Sequence, residues 1–181
     1  MKLLSVQVGR PRTVSHRSRD VRTAIFKSPV LLPVRARRLG LEGDAQADLR
    51  VHGGPDKAVY AYDAAGYEHF RERLRRELTW GEFGENLTVE GMPEADVRAG
   101  DVYRIRGAVL QVTTPRSPCY KLAMRMEMPR FPKLFLESGR TGFYLRVLEE
   151  GELGAGDAIE LVSRDPAAPT VLETVRGWRE R

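Results

Sequence analysis

The chain has 181 residues, 41% of them hydrophobic and 30% charged, with a formal net charge of +5. That balance fits a folded domain with a real core and excludes a disordered chain, and no apolar run approaches the roughly 20 residues that a bilayer-spanning helix needs. A single cysteine excludes an internal disulfide and any Cys-X-X-Cys site, and the three histidines, His16, His52 and His69, are too scattered for a histidine-based metal site.

Taken in chain order, "KLLSVQVG" alternates like a strand and lacks the long apolar stretch of a signal peptide, so a cytoplasmic location is expected. "VLLPVRARRL" reads as the next strand, with Pro33 marking an edge or a bulge. "KAVYAYD" is a third. In "AAGYEHFRERLRREL" the residues Tyr67, Phe70, Leu74 and Leu78 recur at helical spacing, which predicts an amphipathic helix whose arginines form a solvated face. "NLTVEGM", "DVYRIRG", "VLQVTT", "GFYLRVLEEGEL" and "AIELVSR" read as further strands. Both "VRAGDVYRI" and "LGAGDAIEL" place Ala-Gly-Asp before an alternating strand, which predicts two matching turns. "YKLAMRMEM" and "FPKLFLESG" predict short helices around breaks at Pro129 and Pro132. Residues 166–181 read as a Pro-rich linker and one last helix. Many short strands, glycine and proline turns and few helices predict a mainly β fold with helical insertions, arranged as a barrel over residues 1–165.

Three stretches carry candidate chemistry. In "LRVHGGPDKAV", Gly53 and Gly54 permit close backbone approach, while Arg50, His52 and Lys57 bring positive charge, a combination suited to a phosphate. In "FGENLTVEG", Gly84 gives backbone freedom and Asn86 offers donors and an acceptor. In "TTPRSPCYKL", Thr114, Arg116 and Ser117 surround Cys119, while Pro115 and Pro118 stiffen the turn. Arg116 and Lys121 favour the thiolate over the thiol there, which suits a nucleophile or a soft-metal ligand. The basic stripes "FRERLRREL" and "VRARRLG" lack the interleaved aromatic residues of a single-strand nucleic-acid platform, so nucleic acid is the weakest class of partner.

"LGLEGDAQAD", "VHGGPDKAV", "FGENLTVEG", "GDVYRI" and "PRSPCYKL" occur in the order seen in MOSC-domain proteins, and the chain resembles their bacterial stand-alone branch associated with 6-N-hydroxylaminopurine resistance. The resemblance runs from about residue 1 to 165. It implies a MOSC-type β-barrel that binds a molybdenum cofactor (Mo-molybdopterin), with Cys119 as the one protein ligand to the metal. It further implies cofactor contacts from His52, Gly53, Gly54, Lys57, Asn86, Thr114, Arg116 and Ser117. The activity so implied is reduction of N-hydroxylated compounds, such as N-hydroxylated purines, to amines. Nothing here resembles a flavin or nicotinamide site, so electrons are expected from a separate flavoprotein reductase. Members of this branch commonly add a C-terminal helical domain, and residues 166–181 resemble its first helix. A second reading keeps Cys119 as a persulfide that carries sulfur for metal-cluster assembly.

Overall fold

The computed structural model describes residues 1–46 and 53–179. The chain opens with β1 (Lys2–Val8) and a hairpin of β2 (Arg12–His16) and β3 (Arg19–Thr23), then three short strands, β4 (Ser28–Val30), β5 (Val34–Arg37) and β6 (Gly40–Leu41). β7 (Val59–Asp63), helix α1 (Ala64–Leu74), β8 (Leu87–Glu90), β9 (Val102–Ile105) and β10 (Ala108–Pro115) follow. Two short helices, α2 (Tyr120–Arg125) and α3 (Phe131–Glu137), precede β11 (Phe143–Glu149), β12 (Gly151–Leu153), β13 (Ile159–Ser163) and α4 (Val171–Arg179).

Eight strands form one sheet in the order β13-β9-β10-β11-β7-β8-β1-β4. All its neighbours are antiparallel except β7 and β8, and α1 supplies the crossover that a parallel pair requires. β12, β5 and β6 make a second sheet, and the β2–β3 hairpin stands as a third. The start of β1 also touches the residues ahead of β13. Lys2 bridges Ala158, and the Leu3 N–H donates to the Asp157 carbonyl at 2.9 Å. The fold is therefore mainly β with a few helices, as expected. A closed barrel is not formed among the described residues: β1 meets the residues ahead of β13 through this bridge and a few backbone hydrogen bonds, without a ladder, and β4 lies at the other edge of the sheet.

β7 divides the interior. All five of its residues are buried, and alternation sends Val59 and Ala61 to one face and Tyr60 and Tyr62 to the other. The first face joins an aliphatic core with Leu3, Val6, Leu110 and Leu145. The second joins an aromatic core with Tyr67, Phe70, Phe83, Phe131 and Phe135, drawn from α1, α3 and the loops between. There Tyr67 stacks on Phe83 with ring centres 4.5 Å apart, and Tyr62 stacks on Phe135 at 5.6 Å. Each fully buried ring contributes about 1.5–3 kcal/mol over its exposed state.

Local physics accounts for where the expectations and the structure part. The helix of residues 64–78 stops at Leu74 because Arg75 adopts a left-handed φ of 51°. Leu78 is still buried, and its carbonyl accepts from Arg71 Nη2 at 2.6 Å, so that arginine caps a buried group. The "VLLPVRARRL" strand is broken at Pro33, and the preceding Leu31 and Leu32 are 97% and 78% exposed. Pro132 lies in the first turn of α3, where its missing N–H is harmless, and is no break. The β2–β3 hairpin has no Asn-Gly signal: its turn residues Arg17 and Ser18 take positive φ of 51° and 59° without glycine. The two Ala-Gly-Asp turns do match. Asp101 Oδ2 accepts from the Arg98 N–H at 2.9 Å, and Asp157 Oδ2 accepts from the Gly154 N–H at 2.7 Å, the same three-residue step.

A loop ahead of β11 ties both cores together. Gly142 has φ 65°, and a Cβ there would lie 2.4 Å from the Ala61 carbonyl oxygen. Its N–H donates to buried Glu94 Oε1 at 2.8 Å, and its carbonyl accepts the Arg116 N–H at 3.2 Å. Burial pushes the Glu94 carboxyl up from its ordinary 4.5 to about 7, against the opposing pull of the Gly142 N–H. The folded state thus holds this proton more tightly than the unfolded chain does. Its contribution to stability is complete below the unfolded value and lost as pH rises through the folded one. Glu94→Gln keeps the acceptor and removes the titration. Urea unfolding at about pH 5 and about pH 8 should show wild type losing up to about 3 kcal/mol relative to this variant.

Candidate functional site

β10 ends at Pro115, and three residues carry the chain to Cys119, which precedes α2 in an extended conformation (φ −124°, ψ 175°) and is half-buried. Arg116 turns inward and is 6% exposed. Its guanidinium lies 4.8 Å from the Tyr60 ring centre and 5.8 Å from that of Phe135. Nη1 has no hydrogen-bond partner among the described residues. Burial works against the charge, but Tyr60, Tyr144 and Cys119 more than offset it, so the pKa stays above the ordinary arginine value.

Cys119 stands between two cavities. The inner one, of about 100 Å³, is lined by Ile25, Lys27, Asp44, Tyr60, Asn86 and Arg116 among others. The outer one, of about 570 Å³, is lined by Thr114, Ser117, Pro118, Tyr120 and Trp178 among others. Lys57, Cys119, Lys121 and Tyr144 face both. The inner lining carries four cationic side chains, Lys27, Lys57, Arg116 and Lys121, against one carboxylate, Asp44.

That carboxylate is spent inside the wall. Lys27 Nζ donates to Asp44 Oδ1 at 2.5 Å, with the two side chains 8% and 5% exposed. The Gly9 N–H donates to the same oxygen at 2.7 Å, and Asn86 Nδ2 donates to Oδ2 at 2.9 Å. Burial lowers the Lys27 pKa, and the Asp44 charge pulls it back. Asn86 is itself fully engaged: Nδ2 also donates to the Gln7 carbonyl at 3.2 Å, and Oδ1 accepts the Tyr60 N–H at 3.1 Å. Behind it, Glu85 Oε1 accepts from Tyr67 at 2.5 Å and from the Gly81 N–H at 2.6 Å, and burial raises its pKa.

Of the residues singled out from sequence, Cys119, Lys57, Asn86 and Arg116 meet at the inner cavity, and Thr114 and Ser117 join Cys119 and Lys57 at the outer one. Gly53 and Gly54 line neither. Gly54, at φ 94°, opens the short turn Pro55–Lys57, and its carbonyl accepts the Lys57 N–H at 3.1 Å. His52 lies outside the described residues. Among the described residues no cluster of three or more His, Cys, Asp or Glu could hold a bare metal ion, so a metal at Cys119 needs ligands of its own. The sequence reading missed Lys27, Asp44, Tyr60, Tyr144 and Trp178 as wall residues. A lysine directly after "TAIF" was the one available signal.

Residues 48–160 match the MOSC domain family. YflK of Bacillus subtilis, an uncharacterised protein, is 46% identical over 162 residues, which cover 90% of this chain and 73% of YflK. The chain belongs to the MOSC domain family. The crystal structure of YiiM from Geobacillus stearothermophilus superposes with a TM-score of 0.82 at 36% identity, covering 98% of this chain and 83% of that one. A Gibberella moniliformis protein named reductase is 34% identical over 183 residues. The match takes in 99% of this chain but only 32% of the fungal protein, so this MOSC chain spans about a third of that relative.

The buried Lys27–Asp44 pair gives a direct test of the site's framework. Lys27→Met leaves the Asp44 carboxylate buried without its cation and should cost about 3–5 kcal/mol. Lys27→Met combined with Asp44→Asn should cost clearly less than the sum of the single changes, read from a double-mutant cycle in urea.

Proposed function

We propose that this chain is a molybdenum-cofactor-dependent reductase that converts N-hydroxylated compounds, N-hydroxylated purines among them, to amines. The observation that carries the reading is Cys119, half-buried beside the buried Arg116 guanidinium whose Nη1 lacks a partner among the described residues, at a cavity with excess positive charge. A buried donor left over in this way calls for an anion. Among the described residues Cys119 belongs to no cluster of three or more metal-ligating side chains, which suits a metal that arrives already chelated by its cofactor. The residues therefore fit the group. The MOSC family and the fungal relative named reductase support the same direction.

The bound group supplies two-electron redox chemistry at a soft metal centre. The chain supplies the rest. Cys119 Sγ would be the protein's ligand to the metal. Arg116, Lys57 and Lys121 would hold the anionic end of the cofactor, with Thr114 and Ser117 adding hydroxyl donors and Gly53 and Gly54 shaping the turn that carries Lys57. Asn86 fixes Asp44, and Asp44 keeps Lys27 Nζ in place in the wall. The net change, N–OH plus two electrons and two protons to N–H plus water, balances with electrons from a separate flavoprotein reductase. The curled sheet serves as the family's barrel in this reading. No helix of the described residues is long and apolar enough to cross a membrane, in keeping with a cytoplasmic site of action.

Protein from a cofactor-competent host should carry molybdenum close to one atom per chain and reduce an N-hydroxylated aminopurine with a supplied electron donor. Cys119→Ala should lose most of both. Metal-free wild type, or full metal and activity in Cys119→Ala, would sink the proposal. A mass gain of one sulfur on Cys119 in cofactor-free protein would instead favour the persulfide carrier.

A further inference from the structure

The outer cavity differs in character from the inner one. Three of its lining residues are aromatic and come from three separate elements: Tyr120 of α2, Tyr144 of β11 and Trp178 of α4. Pro115 and Pro118 stiffen the surround, to which Lys57, Lys121, Thr114 and Ser117 add polar groups. Tyr144 is already engaged, 5.4 Å from Tyr60 and under Lys57 Nζ at 5.9 Å. Tyr120 is 59% exposed, which is unusual for so large a ring, and neither it nor Trp178 pairs with another ring among the described residues. Cys119 lies in the same lining.

α4 is held so that Trp178 reaches this place. Val171 and Val175, one turn apart, are buried against the body, and the Thr170 side chain caps the helix by accepting the Glu173 N–H at 3.1 Å. The Leu172 N–H donates to the Glu94 carbonyl at 2.9 Å. The helix start is thus pinned to the body, and Trp178 sits about two turns further along.

We infer that the outer cavity is the substrate subsite of this MOSC protein and that Trp178, with Tyr120, is the stacking wall that selects a planar nitrogen heterocycle and presents its N-hydroxylated group toward Cys119. The inference rests on the proposed reductase reading for the reaction but not for the binding. A flat ring gains stacking on an indole that a small aliphatic N-hydroxy compound cannot, because such a compound has no π-face. Lys57 and Lys121 face both cavities, whereas Tyr120 and Trp178 line only the outer one, so Cys119 stands where cationic groups and an aromatic wall meet.

The chain has two tryptophans, Trp80 and Trp178, so Trp80→Phe leaves Trp178 as the sole indole reporter. Trp80 is 39% exposed and lines neither cavity at Cys119. In Trp80→Phe protein from a cofactor-competent host, an N-hydroxylated aminopurine should quench Trp178 emission saturably, while acetohydroxamic acid should not. In the wild-type background Trp178→Ala should raise KM for the purine about 5- to 150-fold, the range expected for lost base stacking, with kcat little changed. Tyr120→Ala should shift KM in the same direction, and Trp178→Phe should restore part of the loss. Unchanged molybdenum content in Trp178→Ala separates lost stacking from lost cofactor. Quenching that persists in protein without reductase activity would uphold the subsite while the reductase reading fails. No quenching by the purine, or a Trp178→Ala enzyme that treats purine and aliphatic compounds as wild type does, overturns the assignment.

Discussion

One full positive charge, placed almost out of reach of water next to the chain's single sulfur, organises this molecule. Arg116 is buried where an unpaired cation costs several kcal/mol unless its surroundings compensate. The compensation comes from aromatic faces and polar oxygens. Tyr60 and Phe135 present π-clouds, the Tyr60 and Tyr144 hydroxyls favour the charge, and the Gly142 carbonyl fixes the backbone that carries it. Each of these is in turn fixed by something remote. Tyr60 Oη donates to the Thr141 carbonyl at 2.8 Å, and Glu94 holds the Gly142 N–H. The parallel pairing of β7 with β8 sets Tyr60 on the aromatic side in the first place. What the protein does not provide is a partner for Nη1 among the described residues, and in the proposed reading that is the place where a ligand's charge would complete the structure.

The strands and most turns were legible because their signal is local. Alternation marks β1, a short apolar run marks β7, and the Ala-Gly-Asp turns announce themselves through an aspartate that accepts from the residue three before it. The β2–β3 hairpin was not legible, since an Arg-Ser turn at positive φ carries none of the usual glycine or asparagine chemistry. Nor was the early end of α1, where Arg75 takes the conformation that Gly or Asn more often supplies. At the site, Cys119 and Arg116 stood out because proline and charge crowd into one short stretch. Lys27, Asp44 and Trp178 come from stretches far apart in the chain, and only folding shows that they share cavities with Cys119. Such long-range assembly leaves no periodic trace.

The two cavities also explain why the last helix matters to a site it does not resemble in sequence. Val171 belongs to the aliphatic core, so α4 is attached through the same body that positions β10 and the turn leading to Cys119. Glu94 connects the two ends of this arrangement, accepting from Gly142 with its side chain and from Leu172 with its backbone carbonyl. A change in how Glu94 is held is therefore felt by Arg116 on one side and by the start of α4 on the other. Coupling of this kind needs no moving part.

The Phe-Gly-Glu-Asn stretch illustrates how a residue can serve a site by contact and by support at once. Phe83 is in the aromatic core, and Gly84 has φ 82° with no room for a Cβ, which would come within 2.8 Å of an Ile25 side-chain carbon. Glu85 gathers Tyr67, Gly81 and Thr88 around one oxygen. Asn86 then spends its amide on Gln7, Asp44 and the Tyr60 backbone while still facing the inner cavity. The Glu85 bonds to Gly81 and Thr88 are local, but those of Asn86 to Gln7, Asp44 and Tyr60 reach distant parts of the chain, so the stretch acts as a joint between β1, β7 and the segment that carries Asp44. Removing the Asn86 amide would take from Asp44 the donor on Oδ2 and leave it those on Oδ1, from Gly9 and Lys27. With both amide hydrogens and its oxygen already committed, Asn86 shapes the inner cavity chiefly through the carboxylate and lysine it keeps in register.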